Sequence, residues 1–135
     1  MKKITLQGID AMCSAVAIAG GKGLAVTGKN LSVRDRVIVY PDGAVAWKLW
    51  GSQIAIKCPR GITLSDCGFS TGTTAERLNG LLEAFSIHTR NGNRIYCSTS
   101  CGFYIWKERQ AKNSRNRMVK FRHVIAGHRL DSWNI

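Results

Sequence analysis

The chain has 135 residues, with 20 Lys and Arg against 8 Asp and Glu, a formal net charge of +12. That length suits one core, and 44% hydrophobic residues exclude global disorder. Two Pro exclude a Pro-rich scaffold, and no apolar run approaches the ~20 residues of a membrane span.

Met1-Lys2-Lys3 resembles the start of a secretory signal, but Gln7, Gly8 and Asp10 interrupt the apolar run. The segment is therefore expected to be mature structure of a cytoplasmic protein. Asp10 is placed to cap a short Ala-rich helix with Met12, Ala15, Val16 and Ala19 on one side. The cluster Gly20-Gly21-Lys22-Gly23 would end that helix as a turn. It is not a phosphate-binding P-loop, because Val16 and Gly23 stand where that pattern needs Gly and Ser or Thr.

A β-meander follows. Residues 36–40 are β-branched and apolar, Pro41-Asp42-Gly43 is a turn, and residues 44–50, 53–58 and 62–65 are further strands separated by Gly51-Ser52 and Pro59-Arg60-Gly61. Period-two alternation assigns Val45, Trp47 and Leu49, then Ile54, Ile56 and Cys58, then Ile62 and Leu64 to the core. The opposite faces receive Ala46, Lys48, Trp50, Gln53, Ala55 and Lys57.

Residues 73–85 carry the clearest helix. Thr73 and Glu76 have capping-box spacing. Leu78, Leu81, Leu82 and Phe85 form one apolar stripe, interrupted only by Gly80, with Arg77 and Asn79 expected on the exposed side. Residues 86–107 read as a hairpin around Asn91-Gly92. Its second arm puts Phe103 and Ile105 on one face, Tyr104 and Trp106 on the other. The expected fold is α+β: an antiparallel β-meander packed on one main helix, with a C-terminal hairpin. A single domain spans 1–106, and 107–135 form a basic extension, either a helix or a mobile arm.

Charge is concentrated in that extension. Eight cations (Lys107, Arg109, Lys112, Arg115, Arg117, Lys120, Arg122 and Arg129) oppose Glu108 and Asp131, leaving +6 of the total +12 in the last 29 residues. Crowded cations repel each other unless a polyanion meets them. A membrane surface is a poorer partner, because Met118, Val119, Phe121, Val124 and Ile125 make no long apolar stripe.

Catalytic constellations are sparse. The five cysteines (Cys13, Cys58, Cys67, Cys97 and Cys101) are odd in number and form no CxxC set. Free thiols packed as small hydrophobes are expected, with a zinc site involving His88, His123 or His128 as the lesser alternative. No carboxylate pair suggests a two-metal nuclease or glycosidase. No cofactor is implied. A ribonuclease using His123 or His128 as general acid and base is a third-ranked reading. Cations interleaved with aromatics are the stronger pattern, since cationic grooves track phosphates and rings stack bases. Lys48, Trp50, Arg90, Arg94, Tyr104, Trp106, Lys107, Arg109, Lys112, Arg115, Arg117, Lys120 and Arg122 are the candidate contacts, with Tyr96 beside them in sequence.

The runs Trp50-Gly51-Ser52-Gln53-Ile54-Ala55, Leu64-Ser65-Asp66-Cys67-Gly68-Phe69 and Thr73-Thr74 with Arg77-Leu78-Asn79-Gly80-Leu81-Leu82 resemble a group of small uncharacterised bacteriophage proteins over about residues 36–100. The resemblance implies phage origin and work inside an infected bacterium, and it carries over no functional residue. The leading expectation is a non-catalytic protein binding DNA or RNA. The alternative is an inhibitor that binds a host protein. An unpaired edge strand leaves a homodimer open.

Overall fold

The computed structural model describes residues 1–19, 27–68, 71–112 and 116–135, with backbone alone at 15–19 and 27–30. The Gly20–Gly23 turn lies outside the described residues. Among the described residues, helix α1 (Lys3–Ala19) precedes strands β1 (Thr27–Asn30), β2 (Asp35–Val39), β3 (Val45–Leu49), β4 (Ser52–Cys58) and β5 (Gly61–Ser65). Helix α2 (Gly72–Ala84) follows, then β6 (Tyr96–Ser98), β7 (Gly102–Gln110), β8 (Met118–Ala126), β9 (Arg129–Asp131) and a 3-10 turn (Ser132–Asn134). The strands form one sheet in the order β1-β2-β3-β4-β5-β9 and another in the order β6-β7-β8, all pairs antiparallel. The fold is α+β with a β-meander, as the pattern indicated.

Helix α1 begins at Lys3, so Asp10 lies inside it and does not cap it. Among its residues with described side chains, Thr5, Gly8, Ile9 and Met12 are buried, an i, i+3, i+4, i+7 stripe. Thr and Gly in two of those places disguise the stripe in a hydropathy reading. Gly8 is required because a Cβ there would collide with the Trp47 ring. Gly80 of α2 is required in the same way, by the Thr5 methyl. The two small residues let α1 sit directly on the sheet and on α2.

Register places Val37, Trp47, Ala55, Leu64 and Leu130 side by side across β2, β3, β4, β5 and β9, and all five are buried. Ile62, Leu78, Leu81, Phe103 and Ile105 join the same core. The assignment of Ile56 and Cys58 to the core face is overturned. The β3–β4 pairing slips between Trp47 and Lys48, a bulge that reverses the alternation along β4. Ile54 and Ala55 are consecutive buried residues, while Ile56 and Cys58 are half-buried. Lys57 then shares the Val45 and Ile62 row, and its ammonium lies 4.6 Å from the Phe85 ring centroid.

The start of α2 departs from the capping box. Thr71 is the N-cap and accepts from the Thr74 N–H at 3.2 Å. Glu76 turns away to accept from the Lys2 N–H at 2.8 Å and from the Thr5 hydroxyl. Arg77, expected to be exposed, is buried: Nε donates to Asp35 Oδ1 at 3.0 Å, and Nη1 to Thr5 at 3.1 Å and Glu76 at 2.7 Å. Asp35 also accepts from Trp47 Nε1 at 3.1 Å and the Ser32 hydroxyl at 2.9 Å. One ionic cluster thus ties α1, β2, β3 and α2 together. Burial opposes both carboxylate charges. The donors on Asp35, chiefly Arg77, and those on Glu76, beginning with the Lys2 N–H, outweigh it and hold both pKa values below the ordinary range. Asn79 is half-buried, and its amide exchanges two 2.8 Å hydrogen bonds with the Cys97 backbone, fastening α2 to β6.

The described residues of 107–135 form strands and a short 3-10 turn rather than the expected α-helix or mobile arm. They complete β7, form β8, and return to the first sheet as β9. The chain passes between sheets where Phe103 N–H donates to Gly127 O at 3.3 Å and Asp66 N–H to His128 O at 3.0 Å. The Asn91-Gly92 turn is present, but its arms meet in a single bridge, His88 with Arg94. The longer pairing joins β6 to β7.

Candidate nucleic-acid interface

The β7–β8 ladder places alternate residues on opposite faces of the ribbon. Trp106 pairs with Arg122, Glu108 with Lys120 and Gln110 with Met118, so these residues share one face with Tyr104 and Val124. Ile105 with His123, Lys107 with Phe121 and Arg109 with Val119 share the other. From Trp106 to Gln110 every β7 residue is exposed, and the facing part of β8 is exposed or half-buried. The cations there are displayed on both faces of a two-stranded ribbon, with Glu108 as their single carboxylate among the described ribbon residues.

One face carries an aromatic row. Tyr96 is the cross-strand partner of Tyr104, and the rings stack at 5.7 Å with 23° between planes. Tyr104 meets Trp106 edge-on at 5.5 Å and 89°. Guanidinium groups flank the row: Arg94 lies 4.9 Å from the Tyr96 centroid, and Arg122 lies 4.9 Å from Tyr104 and 5.7 Å from Trp106. Arg122 also donates to the Ser100 hydroxyl at 3.3 Å. Tyr104, expected on an open face, is only 6% exposed. It supports Trp106, which is 44% exposed. On the other face, Arg109 covers half-buried Phe121 at 5.3 Å.

The remaining candidates scatter. Arg90 is exposed at the Asn91-Gly92 turn, and Arg94 also lies 3.9 Å from Glu83. Lys112 and Arg117 are exposed at the ribbon's far end. Arg115 lies outside the described residues. Lys48 is half-buried on β3 opposite Arg36. Trp50 belongs to the first sheet. It occupies the two-residue β3–β4 turn with Gly51, both at positive φ (53° and 79°), and is 70% exposed. It borders a cleft lined by Ile54, Asp66, Thr71 and Thr74. Trp50 and the Tyr96–Trp106 row thus stand on different sheets. Ser100, Met118 and Val124 were not among the sequence candidates. Period-two reading extended through residue 126 would have placed Met118 and Val124 on one strand face with Lys120 and Arg122.

Other chemistry is dispersed. His128 Nδ1 lies 3.0 Å from both Asp66 oxygens, joining β9 to the loop after β5. His123 stands on the ribbon opposite Ile105. Burial, with Asp66 and Cys101 nearby, pushes the Cys97 thiol up to about 12. Among the described residues, no group of three or more His, Cys, Asp or Glu is placed to hold a metal ion. No described helix is long and apolar enough to cross a membrane.

The fold and this surface define a small α+β protein whose second sheet extends into a cationic, aromatic-bearing β-ribbon. The chain belongs to the Kyanoviridae Gp96 protein family, a phage family, which it matches over residues 25–113. The match runs from β1 through β7, and β8 lies beyond it. No curated protein and no solved structure matches the chain.

Proposed function

We propose that this phage protein binds nucleic acid along the β7–β8 ribbon, without catalysis, in the cytoplasm of the infected bacterium. The observation that carries the reading is the placement of Lys107, Arg109, Lys120 and Arg122 on a ribbon exposed on both faces, opposed there by Glu108 alone among the described residues. Cations outnumber carboxylates four to one there, and phosphates would neutralise the excess. A ribbon also fixes the spacing of its cations, which a flexible arm does not.

Gel-shift titrations with single- and double-stranded DNA and RNA at two ionic strengths test the reading. Affinity should fall steeply with salt, with a slope that decreases by about 1 for each phosphate-contacting Lys or Arg replaced by Ala. A folded sample that binds no oligonucleotide in dilute buffer overturns the reading. The search would then turn to a host protein bound stoichiometrically.

A further inference from the structure

We infer that the ribbon face carrying Tyr96, Tyr104 and Trp106 stacks unpaired bases, so that single-stranded nucleic acid is its ligand in preference to duplex. This inference rests on the nucleic-acid reading above and goes further by naming the strand state.

Three observations support it. The aromatic row is built by register: Tyr96 opposite Tyr104, and Trp106 two residues further on the same face. Trp106 is held in a fixed orientation by its edge contact to Tyr104 and by Arg122 directly across the ladder, yet 44% of it is open to solvent. Diagonal to it on that face is Val124, 48% exposed, and further along the same face, opposite Gln110, is Met118, 58% exposed. Apolar and aromatic surface of this kind gains little from phosphate oxygens.

Duplex DNA offers phosphates and base edges, because its base faces are covered by its own stack. A single strand offers base faces, which any ring can stack regardless of sequence. Lys120 and Arg122 share the aromatic face and Lys107 and Arg109 occupy the other, so a strand whose bases lie on Trp106 has cations within reach of its backbone. Tyr104 is a positioning residue in this arrangement. It is too buried to meet a base, and it sets the plane of Trp106.

The test is fluorescence anisotropy on the full chain, with labelled single strands of about 20 nucleotides, longer than typical single-strand sites, and the duplex of the same length. Wild type should bind the single strand at least about tenfold more tightly at equal salt, the gain expected of one or two stacked bases. Trp106→Ala should weaken single-strand binding by roughly 5- to 100-fold and leave duplex binding unchanged. Trp106→Phe, which keeps a ring, should retain most of the affinity. Lys120→Ala should weaken both ligands. Duplex binding equal to or tighter than single-strand binding by wild type overturns the inference and leaves the nucleic-acid reading standing. So does a Trp106→Ala loss equal for both ligands. Binding to neither ligand overturns both.

Discussion

Replacing Arg77 with Met is the most informative test of what holds this fold together. Met nearly preserves the unbranched volume of the side chain. It removes the donors to Asp35, at 3.0 Å and 3.4 Å, and those to Thr5 and Glu76. Asp35 would keep Trp47 and Ser32 as side-chain donors but lose its counter-charge in a site with no solvent exposure. Removing one partner of a buried ion pair costs about 3–5 kcal/mol. For a chain of 135 residues, an unfolding entropy of about 2.1 cal/mol/K per residue converts this to a drop in Tm of roughly 10–18 °C. Thermal and urea unfolding followed by circular dichroism would measure it. Adding Asp35→Asn to Arg77→Met should recover part of the loss, with a coupling of about 1–3 kcal/mol. A single-mutant loss under about 1 kcal/mol, or strictly additive effects, would refute the claim that this cluster is the junction of α1, β2, β3 and α2.

The same cluster contributes to the acid response. Asp35 and Glu76 have folded pKa values below their unfolded ones, so their contribution is fully present above the unfolded values and is lost as pH falls through the folded ones. Tm measured between pH 6 and pH 2.5 should decline over the acid end of that window, and Arg77→Met should flatten the decline. Gly80→Ala sets helix propensity, worth about 1 kcal/mol in favour of Ala, against collision of the new methyl with Thr5. Overpacking should win, with a net loss of about 1–2 kcal/mol by urea titration, and a gain in stability would contradict the close α1–α2 approach. Trp50 occupies a left-handed conformation at φ 53° while mostly exposed. Trp50→Asn should raise stability by about 0.5–1 kcal/mol, because Asn tolerates that region better. Iodoacetamide at pH 8 should label exposed Cys13 readily and leave Cys97, buried with its pKa near 12, unlabelled until the protein unfolds. Mass mapping of the labelled peptides would decide it.

What was legible in this sequence was what period alone reports. The meander, α2 and the burial of Phe103 and Ile105 all follow from apolar spacing. Two failures have separate physical causes. Helix α1 hid its buried face because the positions that touch Trp47 and α2 must be small, and Gly8 and Thr5 carry no hydropathy signal. The β4 face inverted at a bulge, which shifts the register between Trp47 and Lys48 without leaving a Gly or Pro to mark it. Arg77 was misplaced because a buried cation is recognisable only with its partner. Asp35 lies 42 residues away in the chain, beyond any local pattern.

The basic segment shows how composition can conceal structure. Lys107, Arg109, Lys120 and Arg122 read as part of a basic helix or a mobile arm when counted. In β8 the run Val119-Lys120-Phe121-Arg122 alternates apolar with cationic residues, and that alternation is a strand signal. The distinction bears directly on binding. A disordered arm loses backbone entropy of about 1–2 kcal/mol per residue when it orders on a ligand. A paired ribbon has already lost that freedom on folding, so more of each phosphate contact is retained as affinity. Breaking the ribbon's pairing while keeping its charge separates the two cases: Val119→Pro removes a backbone donor within β8 and leaves every cation in place. If the ribbon geometry matters, that variant should bind oligonucleotides about tenfold or more weakly at equal salt, a loss of about 1.4 kcal/mol. Unchanged affinity with an unchanged salt slope would mean that charge alone suffices and that the ordered pairing contributes nothing to recognition.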